Sequence, residues 1–353
     1  MDAHSDDDIC PPAKAEIKDF HSRGQIPKAQ KKNPRPLNAR KLVYNNNNFP
    51  IDAIISPEQE VSIAVSRRLQ VPGAFDVANF VEGKIQLIGL LCTEECPILG
   101  VSTRHLLDLF PDLQMNIVAI LRSDEVLIPR DGTHKMEVND RVYFVCDTSH
   151  IKRAMSSFGH EEQTANSIII AGGGEIGKKT IEILNKNMQD INITIIENNR
   201  DRANYLAEIF PNISIINGDA LDPDIITESG VNTAETFVAL SNNDEVNILS
   251  SLLAKTSGAL RAVTLVNMPT YIPLVNTLGI NSVISPAQIT VSSILARIRS
   301  GNIQTIHSII EEKGEEIEAR ALESSKIVGK SLRNQKLPKS ICIGSIVRDN
   351  EMI

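Results

Sequence analysis

The chain is organised around a stretch that opens with the apolar run Ile168-Ile169-Ile170. A short β-branched run of this kind predicts a strand buried on both faces. Gly172, Gly174 and Gly177 follow as G-x-G-x-x-G, and Ile176, Ile181, Ile183 and Leu184 then recur at helical spacing. The pattern therefore predicts strand, tight turn and helix in succession. Residues 193–196, Ile-Thr-Ile-Ile, predict a second strand ending at Glu197. The alternation continues: a helix over 202–210, a strand over 213–216, a strand over 237–240, a helix over 247–254, a strand over 262–266, a helix over 271–278 and a short strand over 282–284. Strands alternating with helices predict a doubly wound parallel sheet over residues 167–285.

The pattern upstream is different. Residues 1–36 carry no apolar period and are broken by Pro11-Pro12 and Pro34-Arg-Pro36, so they are expected to be a disordered or irregular tail. A short helix over 37–49 and a strand over 50–56 follow. Ser56-Pro57 then opens a helix over 57–70, with Ser56 as N-cap and Val61, Ala64, Val65 and Leu69 on one face. Residues 75–158 read as a small α+β unit. Strands at 75–81 and 85–91 flank Glu82-Gly83, and further strands lie at 116–121, 125–128 and 140–145. Short helices lie at 103–109 and 150–158. Residues 161–166 are a polar linker.

The chain also repeats itself. Ile284-Ser-Pro-Ala-Gln288 echoes Ile55-Ser-Pro-Glu-Gln59 at an offset of 229 positions, and Arg297 and Gly329 keep that offset from Arg68 and Gly100. Ile346-Val-Arg348 then matches Ile120-Leu-Arg122, with three residues lost between. A constant register over this span indicates duplication. It predicts that residues 286–353 form a second copy of the α+β unit at 57–160. That copy stops at the position of Leu127, so it is incomplete and lacks the equivalents of the 140–145 strand and the helix after it. Before the first copy, only a remnant of a nucleotide-type half fits, in residues 37–56. On this reading the chain is truncated at both ends, and the missing strand leaves an exposed sheet edge.

Composition narrows the classes. Of 353 residues 42 % are hydrophobic, which is enough for ordinary cores, and the formal net charge is −8. Trp is absent and aromatics are 4 %, which argues against a stacking platform for single strands. An acidic chain has no field favouring nucleic acid. No apolar run reaches the ~20 residues of a membrane span. The N-terminus is acidic where a secretion signal would be basic. There are five cysteines, an odd number in a chain that reads as cytoplasmic, which argues against a disulfide framework. Cys92-x-x-x-Cys96 has no neighbouring His and reads as ordinary thiols rather than a zinc site.

The glycine-rich turn carries the candidate chemistry. Its first glycine permits the turn, its second lets backbone N–H groups approach a pyrophosphate, and its third lets helix and strand pack closely. The helix N-terminus adds partial positive charge. Glu197 stands twenty residues after Gly177, where a carboxylate binds ribose hydroxyls and repels a 2′-phosphate. This favours NAD(H) or an adenine nucleotide over NADP(H). The alternative is a Rossmann-like fold with an empty cleft. Asp219 and Asn242 fall at carboxyl ends of strands, where such sheets bind ligands, and equally suit turn and cap roles.

The segments, taken together, resemble the TrkA family, the cytoplasmic regulatory subunits of bacterial Trk-type potassium uptake systems. The matching stretches are Pro50-Ile-Asp-Ala-Ile-Ile-Ser-Pro-Glu-Gln59, Arg68-Leu-Gln-Val-Pro-Gly-Ala74, Phe80-Val-Glu-Gly-Lys84, Ile170-Ala-Gly-Gly-Gly-Glu-Ile-Gly177, Gly218-Asp-Ala220 and Ala239-Leu-Ser-Asn-Asn-Asp-Glu245. They extend over about residues 37 to 353. The resemblance implies an α/β fold in which a Rossmann-like nucleotide-binding RCK N-type half (167–285) is flanked by two α+β RCK C-type halves, 57–160 and 286–353. It implies that Gly172, Gly173, Gly174, Glu175 and Ile176 hold the phosphates of NAD(H) or of ATP or ADP, with Gly177 packing the helix. Glu197 would take the ribose, Asp219, Ser241 and Asn242 would line the adenine and ribose side, and Arg200 would reach a phosphate or remain a solvated surface arginine. It implies a non-catalytic regulator at the inner face of the plasma membrane. Such a regulator assembles as a homo-oligomeric RCK ring and gates a membrane potassium-translocating subunit of the Trk type. The alternatives are an NAD-dependent oxidoreductase and a non-functional remnant. The only His after the nucleotide strands is His307, beside Ile306 and Ile309, which reads as structural. The apolar faces of the helices at 57–70 and 286–299 exceed what such small halves can cover, which predicts self-association.

Overall fold

The computed structural model describes residues 54–353 apart from 111, 124, 163, 189, 281, 299–302, 310–312, 326, 330, 333, 334, 336, 339 and 350. The expected tail at 1–36, the helix at 37–49 and the start of the strand at 50–56 lie outside the described residues. The end of that strand, 54–56, is not in a strand.

Helix α1 (Pro57–Gln70) starts the described chain, with Pro at its first turn, Glu58 and Glu60 near its N-terminus and Arg67 and Arg68 near its C-terminus. That charge order suits the helix dipole. Five strands follow: β1 (Asp76–Phe80), β2 (Ile85–Leu91), β3 (Met115–Arg122), β4 (Glu125–Leu127) and β5 (Arg141–Asp147). They form one antiparallel sheet in the order β1-β2-β5-β3-β4. Helices α2 (Thr103–Leu109) and α3 (Ile151–Ser157) complete the unit. One sheet face carries Val77, Ile88, Leu90, Ile117 and Phe144 onto Leu106 and Phe158. Burial on both faces explains why 85–91 is apolar almost throughout rather than alternating. Asp140, fully buried, takes a fork from Arg122, Nε to Oδ1 at 2.9 Å and Nη2 to Oδ2 at 2.8 Å, and ties β3 to the approach of β5. Paired in this way a buried carboxylate is tolerated.

The second sheet is parallel. Its strands are β6 (Ser167–Ala171), β7 (Asn192–Glu197), β8 (Ser214–Asn217), β9 (Thr236–Ala239), β10 (Arg261–Leu265) and β11 (Ser282–Ile284). Their spatial order is β11-β10-β9-β6-β7-β8, every pair parallel. This is the doubly wound order with its switch point between β6 and β9. The connecting helices are α4 (Glu175–Asn187), α5 (Arg200–Ile209), α6 (Pro223–Glu228), α7 (Asp244–Thr256) and α8 (Ile272–Thr277). Helix α6 was absent from the sequence reading, although Asp222-Pro223 marks it: Asp222 caps it through the Asp224 N–H at 2.9 Å and Pro223 is its first residue.

The duplicated segment begins with α9 (Pro286–Ile298) and the hairpin β12 (Ile303–Ile309) with β13 (Gly314–Ala319). Thr305 pairs with Glu318 and Ile309 with Gly314, each 229 positions after the β1–β2 pairs Asp76 with Gly89 and Phe80 with Ile85. The hairpin β14 (Val347–Arg348) with β15 (Glu351–Met352) repeats the β3–β4 turn. Ser123 and Asp349, equivalent turn residues, have φ of 45° and 48°, and Gly100 and Gly329 both have φ of 75°. The repeat is thus one of backbone geometry as well as sequence. Among the described residues the two hairpins of the second copy form separate two-stranded sheets. Ile309, Val347 and Met352 lie on the outer face of the first sheet, against Phe75, Ala78, Leu87, Val118 and Val145. Among the described residues, no helix is long and apolar enough to cross a membrane.

One expectation is overturned here. The apolar face of α1 is not available for self-association, because Val61 and Val65 are fully buried and Leu69 is 3 % exposed, packed with Ile181 and Leu184 of α4. Ser62 hydrogen-bonds the Ile176 carbonyl at 3.0 Å across the same contact. The face of α9 does stay open, with Val291, Ile294 and Ile298 exposed.

Candidate functional site

At the switch point, β6 runs into the glycine turn and α4. Gly172 has φ of 108°, in the left-handed region, and a Cβ there would press on the backbone of Leu240 and Ser241. Only glycine lets the β6 turn lie this close to the end of β9. A Cβ on Gly177 would collide with the Gly172 carbonyl oxygen, which is the close helix–strand packing the third glycine serves. Gly174 differs from both: a Cβ there would meet nothing within 4 Å. Among the described residues nothing packs where a Cβ at 174 would stand, so a Cβ there would enter the space above the loop.

That space lies over the N-terminus of α4. Gly174 occupies the N-cap position and supplies no side-chain hydrogen bond, so the first-turn N–H groups of α4 have no capping side chain. By contrast, Asn199 caps α5 through the Arg202 N–H and Asn243 caps α7 through the Val246 N–H, each at 2.9 Å. Uncapped donors, a helix dipole and a cradle that a Cβ would fill together fit a phosphate.

Glu197, at the end of β7, is buried at 9 % exposure. Its Oε2 accepts from the Gly173 N–H and its Oε1 from the Asn199 N–H, both at 2.8 Å. The carboxylate therefore braces the glycine turn and the start of α5. Arg200, read either as a phosphate contact or as a solvated surface arginine, is exposed at the first position of α5. Arg202 is the arginine the structure brings to the loop: Nε donates to the Gly173 carbonyl at 2.7 Å and Nη2 to Glu175 at 3.1 Å, and its guanidinium lies over Tyr205. Sequence reasoning missed it. With Asn199 as N-cap, Arg202 falls at the third helical position and turns back towards the loop, and that cap was the available signal.

Asp219 accepts from the Leu221 N–H at 2.9 Å and is exposed, so its turn role is realised. Ser241 donates to Asn247 Oδ1 at 2.7 Å, and its own N–H meets the same oxygen at 2.8 Å. Asn247, fully buried and also unforeseen, reaches across to the Leu265 carbonyl at 3.0 Å and fixes the end of β9 beside the glycine turn. Asn242 is exposed next to them. Gly172 through Gly177, Glu197, Ser241 and Asn242 thus line one end of the sheet, and Asp219 stands at the end of the neighbouring β8 strand. His307 lies elsewhere, with Nε2 3.0 Å from Asp76 of the first copy. Among the described residues no group of three His, Cys, Asp or Glu is placed to hold a metal.

With this geometry in view, comparison with known proteins is direct. Residues 168–286 match the TrkA-N domain family and residues 88–159 the TrkA-C domain family. The chain is 42 % identical over 307 residues to a Trk system potassium uptake protein TrkA of Azorhizobium caulinodans, covering 87 % of this chain and 67 % of that protein. It is 34 % identical to the protein of the same name from Halomonas elongata, covering 89 % and 68 % of the two chains. For the Vibrio alginolyticus protein of that name the identity is 33 %, covering 92 % and 71 %. Among solved structures it is similar in fold to the crystal structure of the GsuK RCK domain, with a TM-score of 0.51 and 15 % identity over 74 % of this chain and 54 % of that one. The chain belongs to the TrkA family.

Proposed function

We propose that this protein is the nucleotide-binding regulatory subunit of a Trk-type potassium uptake system, and that it senses NAD(H) or an adenine nucleotide in the cleft at the head of α4. The observation that carries the reading is Gly174: the chain itself leaves its Cβ position empty, directly over uncapped helix N–H groups. The names of the relatives supply the physiological setting.

In this reading the N–H groups of Gly174, Glu175 and Ile176 hold the phosphates, and Gly172, Gly173 and Gly177 give the turn its shape. Glu197 holds the turn through Gly173 and offers its free lone pairs to the ribose hydroxyls. Ser241, Asn242 and Asp219 line the adenine and ribose side. Arg202 steadies the loop rather than reaching a phosphate itself, and Arg200 remains solvated. The domain limits 57–160, 167–285 and 286–353 belong to the same proposal. Binding is coupled to function because the nucleotide half and the first α+β half share α1: Val61, Val65 and Leu69 pack on α4, the helix that starts at the phosphate site. A ligand that prefers one placement of α4 shifts that equilibrium, and the partner reads the shift.

The partner is a membrane potassium-translocating subunit of the Trk type, met at the cytoplasmic face of the membrane, and the protein works as a homo-oligomer. The open face of α9 supports assembly. Positions 291, 294 and 298 are the repeat equivalents of Ser62, Val65 and Leu69, which in α1 are buried on α4. A non-catalytic role suits the site chemistry. Glu197 and Asp219 are engaged by backbone N–H groups, and His307 is held at the joint between the two copies.

The test is ion flux. Proteoliposomes carrying a Trk-type membrane subunit are given the purified chain, and potassium-analogue uptake is followed with and without NADH, NAD, ATP or ADP. Nucleotide-dependent uptake that vanishes with Gly174→Asp supports the proposal. Uptake indifferent to nucleotide, together with steady oxidation of a small alcohol or hydroxy acid by NAD, would replace it with the oxidoreductase reading.

A further inference from the structure

The parallel sheet has a second ligand-shaped feature at the opposite end from the nucleotide cleft. A cavity of about 200 Å³ lies where the amino ends of β9, β10 and β11 meet the link between α1 and β1. Its apolar wall includes Leu69, Pro72, Leu91, Leu260 and Val263. A cavity of ~150 Å³ with apolar walls holds benzene, so this one has room for a six-membered ring and a small polar group.

Its polar wall has unmet capacity. Ser282 lines the cavity, and its hydroxyl is buried with no hydrogen-bond partner among the described residues. Arg261 also lines it: Nε donates weakly to Thr236 Oγ1 at 3.4 Å, and its charge is felt by Glu162 and Glu235. Burial lowers the Arg261 pKa from its ordinary value against the opposing pull of Glu162 and Glu235, as expected of a cation whose lost hydration is not made good. Lys255 stands at the rim, donating to the Gly279 carbonyl at 2.6 Å. Arg68 is paired with Asp76 at 3.3 Å, and Glu162 with His160 at 3.0 Å. The cavity is therefore apolar on one side, and on the other carries Arg261 and Lys255 with Glu162 beside them.

We propose that this cavity is a binding site for a small organic monocarboxylate with an apolar body, its carboxylate taken by Arg261, Ser282 and Lys255 and its body by Leu69, Pro72, Leu91 and Val263. An occupant touches the parallel sheet and the α1–β1 link at once. It holds the two halves at one angle and so acts on the same joint that the nucleotide half moves, from the far end of the sheet.

Benzoate is the probe, titrated by calorimetry into the full chain, with benzamide as the neutral isostere. Saturable benzoate binding is expected, with benzamide at least about tenfold weaker, since a charge-assisted contact is worth more than the factor of ten that ~1.4 kcal/mol represents. Arg261→Gln weakens benzoate by about tenfold or more on the same argument. Thr93→Trp, at an exposed lining position, fills the mouth and abolishes binding while keeping the wild-type Tm. Absence of saturable benzoate binding by the wild type overturns the proposal. So does equal affinity for benzamide, or benzoate binding undiminished in either variant.

Discussion

At the scale of single residues, Gly174 and Gly177 make opposite demands and separate binding from folding. Gly177→Ala drives a methyl into the Gly172 carbonyl oxygen. Overpacking of this kind costs about 1–3 kcal/mol, which thermal or urea unfolding will show as a lower midpoint. The Cβ of Gly174→Asp meets no protein atom within 4 Å, so the midpoint should hold while nucleotide binding is lost to the carboxylate in the phosphate position. The glycine turn and Glu197 were legible in the sequence because their spacing alone carries the geometry. Arg202 and Asn247 were not. Each acts through a side chain whose direction is set by where a helix begins, and the cap residues Asn199 and Asn243 fix those starts. Asp219 and Asn242 remained ambiguous for a related reason, since the residue types that line a ligand also close turns.

At the scale of elements, the hairpin β12–β13 carries a pH dependence with a definite sign. Burial pushes the Glu316 carboxyl up from 4.5 to about 7, with His307 opposite it on β12 opposing the shift. The folded chain thus keeps a proton that the unfolded chain releases. The contribution is full below pH 4.5 and is lost as the pH rises through about 7. Asp76, one sheet away, runs the other way: burial would raise its pKa, but His307 and Arg68 outweigh burial and hold it well below the usual carboxylate range. Its contribution is present above the ordinary aspartate pKa and lost on acidification. Glu316→Gln should therefore flatten the decline in Tm between pH 4.5 and 7 without touching the acid limb, and Tm measured across that range checks it. Helix α1 was read correctly as one-sided, but its partner was not foreseen. Periodicity shows that a face is apolar and carries no information about which element covers it. Val65→Ala should cost about 1.5–3 kcal/mol as a buried side chain is cut back, with unfolding midpoints as the measure.

At the scale of the whole molecule, the duplication explains an asymmetry. Two equivalent helices face different fates: α1 is covered by α4, and α9 presents Val291, Ile294 and Ile298 to solvent. An apolar stripe on a chain that already covers its equivalent is expected to find a second copy. Light scattering at micromolar concentration should report an oligomer, and Ile294→Glu with Ile298→Glu should shift it towards monomer. A monomeric wild type would contradict this. The 229-position offset of the repeat was readable from sequence, and the backbone pairs follow it, as Thr305 with Glu318 shows. The placement of the second copy was not. It rests on Ile309, Val347 and Met352 meeting the outer face of the first sheet, a contact between surfaces that no local pattern encodes.

The central claim is that the turn at 172–177 binds a nucleotide and that the fold tolerates its loss. The direct measurement is calorimetric titration of NADH, NAD, ATP and ADP into wild type and Gly174→Asp, with the unfolding midpoint of each protein recorded. The account predicts saturable binding of at least one of the four by the wild type, none by the variant, and equal midpoints without ligand. A folded wild type that binds none of the four, or a folded variant that binds as tightly as wild type, would contradict it.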